Sequence, residues 1–192
     1  LANISAGLVV AKLGTVAISG PELRREVQRD DDSYHGVLTQ EQLLLAVADA
    51  RANGEKIVFT NGCFDIIHAG HVGYLKDSRQ QGDRLIVALN DDASVTKLKG
   101  EGRPINPIDR RMAVVAGLES VDWVVSFSED TPEALISAIR PELLIKGGDY
   151  EIGQVVGTDF VHSYGGEVRV LSFLDNCSTS AIVEKIQEDI PI

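Results

Sequence analysis

Residues 56–71 read KIVFTNGCFDIIHAGH, and the architecture is legible from this run. Lys56–Thr60 is a short apolar strand, rich in residue types that suit a pleated, buried surface. Asn61 and Gly62 are turn residues placed directly behind it. Gly70–Gln81 then reads as a helix. Strand, tight turn and helix make the first half of a βα unit. The start of such a helix carries backbone N–H groups with no helical partner.

The same rhythm extends outward. Gln40–Asn53 has helical apolar spacing through Leu43, Leu44, Val47 and Ala50, and Gly54 stops it. Arg84–Leu89 is a buried strand and Asn90–Ile105 a long polar loop. Asn106 is placed to cap the next helix, with Pro107 at its first position. Val121–Phe127 is a strand. Thr131 caps a helix with Pro132 in its first turn. Glu142–Ile145 is a strand, followed by the loop KGGDY and a helix near Val155–Tyr164. Val168–Ser172 is the last strand, and Ser178 opens the last helix. Short apolar strands alternating with amphipathic helices predict an α/β fold: a Rossmann-like, doubly wound, parallel five-stranded sheet with helices on both faces.

The chain has 192 residues, enough for one substantial α/β domain and a short appendage. Lys+Arg 18 against Asp+Glu 29 gives a net charge of −11. That field repels a polyanion, so no nucleic-acid partner is expected, although a local basic pocket for a small phosphate compound is compatible with it. Two cysteines, Cys63 and Cys177, are too few for a disulfide scaffold and suit a reducing, cytoplasmic setting. No apolar run approaches the ~20 residues of a membrane span. Leu1–Val10 is interrupted by Asn3, Ser5 and Gly7 and lacks a basic flank, so it is not read as a signal peptide, and no membrane partner is expected. Residues 1–23 look like a packed helix ending at Gly14. Residues 24–37, with Asp30, Asp31 and Asp32 in a row, are a linker by composition. The catalytic domain is expected over 38–192. The only methionine is Met112 and the sequence starts at Leu1. This suggests a fragment of a longer protein, with a processed N-terminus as the alternative.

In a doubly wound sheet, ligands bind beyond the carboxyl ends of the strands. The segments predicted there are TNGCFDIIHAGH, NDDASVTKLKGEGRP, KGGDY and FLDNCSTSA. They hold most of the unusual polar residues. His68 and His71 are three apart at the start of a helix, a spacing that puts two imidazoles on one face. The helix N-terminus favours anions, and Gly70 removes a side chain where a phosphate or base would approach. Two plainer readings stand beside this one. The histidines could be ordinary polar residues at a helix start, or part of a metal site with Cys63 as a third ligand.

Lys99 and Arg103 lie in a Gly-flanked loop and are candidates for a phosphate clamp. Solvated loop charges are the alternative, and for Lys97 that alternative is preferred. Lys146, after an apolar strand and before Gly147 and Gly148, is expected to contact phosphate; otherwise it reaches solvent. Asp149 is read as orienting Lys146, with the backbone of Gly147 and Gly148 nearby. Ser178, Thr179 and Ser180 can grip a phosphate at the last helix start, although a cap explains Ser178 alone. Arg110 and Arg111 are weaker candidates. Asp65 is the nearest carboxylate to the histidines, and a structural turn role suits it equally.

TNGCFDIIHAGH resembles the HxGH signature of the nucleotidyltransferase superfamily. The runs LKGEGRPINPIDRRMAVVAGLESVDWVVSFSEDTPEALI, LLIKGGDY and CSTSAIVEKI are most similar to the adenylyltransferase domain of bifunctional heptose kinase/adenylyltransferases. The resemblance covers about residues 38–188. ANISAGLVVAKLGTVAISGPEL resembles the last helix of a ribokinase-like sugar kinase, which implies that residues 1–23 are the tail of a kinase domain in the same full-length chain.

The resemblance implies adenylyl transfer from ATP to D-glycero-β-D-manno-heptose 1-phosphate, giving ADP-heptose for lipopolysaccharide, with pyrophosphate released. It implies that His68 and His71 contact the triphosphate and stabilise the transition state, that Lys99 and Arg103 clamp the sugar phosphate or the β/γ-phosphates, and that Asp149, with the backbone of Gly147 and Gly148, orients Lys146 or binds the sugar. Backbone N–H groups of Thr60, Asn61, Gly62, Cys63 and Phe64 would hold the nucleotide. Mg²⁺ is expected with the triphosphate, and a homo-oligomer is expected. Two other functions compete: a cytidylyltransferase acting on a polyol phosphate, and a catalytically idle nucleotide-binding module.

Overall fold

The computed structural model describes residues 36–148, 151–172 and 179–188. Residues 1–35, Asp149, Cys177 and Ser178 lie outside them, so the kinase-tail reading of residues 1–23 does too. Among the described residues, helices α1 (Gln40–Ala52), α2 (Ala69–Arg79), α3 (Asp92–Lys99) and α4 (Ile108–Ala116) interleave with strands β1 (Ile57–Gly62), β2 (Arg84–Asn90) and β3 (Trp123–Phe127). Then follow α5 (Glu133–Ile139), β4 (Leu143–Gly147), a 3₁₀ turn (Ile152–Gln154), α6 (Thr158–Ser163), β5 (Glu167–Leu171) and α7 (Thr179–Glu188).

The five strands pair in parallel in the order β3-β2-β1-β4-β5. Parallel strands are covered on both faces, and the burial divides accordingly. Ile57 and Phe59 of β1 join Leu43, Val47, Ile136, Ile139 and Val161 in one core. Val58, between them in sequence, joins Leu75, Leu85, Val87, Val115 and Leu143 in the other. This is the alternation of successive side chains along a strand. No helix among the described residues is long and apolar enough to cross a membrane.

Local chemistry sets the helix ends. Thr39 and Gln42 form a reciprocal capping box on α1, satisfying two otherwise unpaired donors. Four sequence expectations need correction. Asn90–Ile105 is not a continuous loop, because it contains α3. The Asp91 carboxylate accepts from Ser94 N at 2.7 Å and starts that helix. Asn106 does not cap α4; Pro107 holds that position, and the Asn106 N–H is drawn to Asp65 instead. Pro132, not Thr131, is the N-cap of α5. Gly36 and Val37 are not linker: Val37 bridges to Val124 beside β3, with Val124 N donating to Gly36 O at 2.7 Å.

Candidate active site

The chain runs β1-β2-β3 to one side of the sheet, then crosses to β4 and β5 on the other. The strand order therefore reverses between β1 and β4, where a crevice opens beyond the carboxyl ends. A cleft of about 580 Å³ lies there. Its wall takes Asn61 and Gly62 from β1, Cys63–Asp65 and His68 from the following loop, and His71 and Tyr74 from α2. Further lining comes from Asn90 of β2, Lys99 of α3, Arg103, Lys146 and Gly147 of β4, and Thr179 of α7.

His68 is the N-cap of α2, in extended conformation (φ −139°, ψ 171°), and its side chain makes no cap hydrogen bond. Its carbonyl accepts from Val72 N at 3.2 Å, so it closes the first turn, which carries His71. The extended cap brings the rings together, with centroids 3.9 Å apart and planes at 27°. Phe64 stands 5.2 Å behind His71, on a backbone with φ of 46°. Gly62 is what admits that ring: a Cβ at this position would sit 3.0 Å from Phe64 Cε2. Burial pushes His68 below its ordinary pKa, and burial with the charge of His68 brings His71 to about 4. At neutral pH both rings are uncharged hydrogen-bond donors. His68 Nδ1 is buried without a hydrogen-bond partner among the described residues.

Across the crevice, Lys146 Nζ donates to the backbone oxygen and Oδ1 of Asn61, each at 3.3 Å. Burial pulls this ammonium below its ordinary value. Burial pushes the Cys63 thiol above its ordinary pKa. Among the described residues no group of three His, Cys, Asp or Glu could hold a metal ion. The Tyr74 hydroxyl pairs with Thr60 Oγ1 at 2.6 Å and donates to Ile145 O at 3.3 Å, so α2 is tied to β1 and β4.

Asp65 and Arg111 hold the loops that surround the histidines. Asp65 accepts from the N–H groups of Ile105 and Asn106 and from Arg103 Nε, at 2.7 to 2.9 Å. These contacts favour the structural reading of Asp65 and commit Arg103 to it, although Arg103 still lines the cleft. Burial alone would raise the Asp65 carboxyl, but the N–H groups of Asn106 and Ile105 with Arg103 outweigh it and hold the pKa below the ordinary 3.8. Asp65→Asn is expected to cost about 1–3 kcal/mol at neutral pH, because buried donors lose their acceptor. A folded pKa below the unfolded one gives stability that is present above 3.8 and lost as pH falls through the lower folded value. The deficit of the variant should therefore shrink in acid, as measured by urea unfolding across pH.

Arg111 is 1 % exposed, so it is no ligand contact. Its guanidinium donates to the carbonyls of Cys63, Asn90 and Asn106 and to Asp92 Oδ1, at 2.6 to 2.9 Å. Arg110 is exposed.

The structure brings together Asn61, Gly62, Cys63, Phe64, His68, His71, Lys99, Arg103, Lys146, Gly147 and Thr179 on one cleft. Thr60 and Gly70 are buried and do not line it. Ser180 falls within α7, and Asp149 and Ser178 lie outside the described residues. Thr179 Oγ1 donates to Ile66 O at 3.2 Å, which ties α7 to the histidine loop. Lys97 pairs with Asp130 at 2.9 Å on the surface, in line with the solvated reading. Sequence reasoning missed Asn90, Asp130, Thr131, Gln154 and Val156, which also line the cleft. Asn90 ends β2 and opens the segment NDDASVTKLKGEGRP, which the carboxyl-end rule marks without singling it out; the Asp130–Thr131 loop follows β3, where the same rule could have found it.

A cleft of this size at the strand-order reversal, with two neutral imidazoles, two lysines and no activated nucleophile among the described residues, defines a nucleotide-handling α/β site. Residues 59–185 match the family model described as cytidylyltransferase-like, and the chain belongs to that family. "Bifunctional protein HldE" of Ectopseudomonas mendocina (strain ymp) is 70% identical over 187 residues, covering 97% of this chain and 40% of that protein. The protein of the same name from Pseudomonas aeruginosa (strain LESB58) is 70% identical over 188 residues, covering 98% and 40%. The chain thus spans about two fifths of the length of the curated relatives it matches. A crystal structure of the lipopolysaccharide core biosynthesis protein from Thermoplasma volcanium GSS1 superposes with a TM-score of 0.52 at 25% identity, covering 63% of this chain and 98% of that one.

Proposed function

We propose that this chain transfers the adenylyl group of ATP to D-glycero-β-D-manno-heptose 1-phosphate, giving ADP-heptose for lipopolysaccharide core precursors. The observation that carries the reading is the stacked His68–His71 pair facing Lys146 across one cleft. An acceptor phosphate oxygen attacks the α-phosphorus, and the new P–O bond forms as the α–β bridging bond breaks. Pyrophosphate leaves with that electron pair. The protein needs no nucleophile of its own; it positions two anions and meets the charge that develops. The neutral imidazoles donate N–H bonds to phosphate oxygens, and Lys146 and Lys99 supply positive charge.

The heptose assignment rests on the likeness of LKGEGRP and KGGDY to the heptose branch. The 70% identity to proteins named HldE and the lipopolysaccharide core protein among the solved structures support it. The relatives are called bifunctional and are more than twice this chain's length, which supports a kinase domain in the same polypeptide, with residues 1–23 as its tail. A cytoplasmic setting and a homo-oligomer complete the reading. Mg²⁺ would arrive with the triphosphate: the Asp65 carboxylate is already filled by its own chain.

The test is pyrophosphate release with each pairing of ATP or CTP with heptose 1-phosphate or glycerol 3-phosphate. The highest kcat/KM should belong to ATP with heptose 1-phosphate, because polar groups built to meet sugar hydroxyls are left unpaired by a smaller acceptor. A better rate with CTP and glycerol 3-phosphate would overturn the branch assignment. No release with any pair would favour the idle binding module.

A further inference from the structure

Asn90 closes β2 with its side chain 5 % exposed, on the cleft wall. Its amide is fixed at both ends of the residue. Nδ2 donates to Ser94 Oγ at 3.1 Å, and its backbone oxygen is held by Arg111 Nη1 at 2.9 Å. With Nδ2 committed, Oδ1 has no partner among the described residues. A fixed carboxamide oxygen can only accept a hydrogen bond. It has no use for a phosphate oxygen and suits a hydroxyl or amine hydrogen.

The topology indicates which substrate brings that hydrogen. The reversal between β1 and β4 is where a nucleotide sits in a doubly wound sheet, and the Lys146 ammonium, held by Asn61, flanks it. Asn90 lies one strand away on the β2 side, where the Asp130–Thr131 loop after β3 adds further oxygens to the wall. The side beyond β2 combines phosphate-binding cations, Lys99 and Arg103, with the acceptor oxygen of Asn90 and the hydroxyl of Thr131. A polyhydroxylated sugar phosphate matches this side.

We propose that Asn90 is a specificity residue, whose Oδ1 accepts a hydrogen bond from a hydroxyl of the acceptor sugar phosphate. This rests on the transferase reading above. The experiment is calorimetric binding of heptose 1-phosphate and, separately, of ATP to the parent chain, Asn90→Ala and Ser94→Ala, with thermal unfolding of each. Asn90→Ala should weaken the sugar phosphate about tenfold, as loss of one hydrogen bond does, while ATP binding stays within about twofold. Ser94→Ala frees the amide to turn and should weaken the same ligand less. If Asn90→Ala does not fold, Ser94→Ala alone decides through its effect on the sugar phosphate. Weakened ATP binding, equal weakening of both ligands, or no effect overturns the assignment. The parent chain separates the two readings: if it binds neither ligand the transferase reading fails, and if it binds both and the variants match it only the Asn90 role fails.

Discussion

His68→Ala and His71→Ala should each lower turnover by about 10²-fold or more while the fold persists, since pre-placed donors to a developing oxyanion typically contribute that much. The geometry makes the two losses unequal in kind. His68 is an N-cap whose ring makes no cap bond, so its removal subtracts a donor from the cleft and little from the helix. His71 packs between His68 and Phe64, so its removal also opens space behind His68. The His71 variant should therefore lose more activity and some thermal stability. Burial keeps the His71 pKa near 4, so the ring is neutral throughout the physiological range. Pyrophosphate release and circular dichroism measured on the same samples check this. Near-parental turnover in both variants would remove the centre of the mechanism.

Arg111→Met should cost about 3–5 kcal/mol, because three carbonyls would lose their donor at about 1–3 kcal/mol each, while Asp92, 44 % exposed, can turn to water. That is a large share of the ~5–15 kcal/mol by which a domain is stable. Methionine fills much of the arginine's volume but donates nothing. The carbonyls of Cys63, Asn90 and Asn106 and the Asp92 carboxylate would lose a shared donor. Arg111→Lys should be intermediate, because one ammonium cannot reproduce a planar fork. The denaturant midpoint in urea measures both. A loss below about 1 kcal/mol for Arg111→Met would mean that the four acceptors find other partners.

The strands were legible because each is a short apolar run bounded by turn residues, and β1 and β2 are buried on both faces. The histidine loop was legible because Asn61, Gly62 and Gly70 mark turns and two imidazoles stand close in sequence. Helix α3 was not, because DASVTKLK buries only Ser94 and Val95 and shows no apolar stripe. Asn106 looked like a cap because local spacing does not reveal Asp65, 41 residues away, which takes its N–H. Arg111 and Arg110 are neighbours in sequence with opposite fates. The available signal was phase: Arg111 precedes buried Val115 by four residues and so shares its helix face. What the guanidinium grips depends on loops from three other parts of the chain, and no local pattern encodes that.

The crossover from β3 to β4 also has a consequence for how activity arises during folding. Strands β1, β2 and β3 follow one another in sequence and pair side by side, so a chain with only these joined would already hold both imidazoles. It would lack Lys146, because β4 reaches β1 only after the whole stretch between Thr60 and Ile145 has been looped back. On the proposed mechanism, catalytic competence is gated by the most non-local pairing between the five strands, the kind of step that slows folding. A half-assembled chain would carry the histidines without the lysine that faces them.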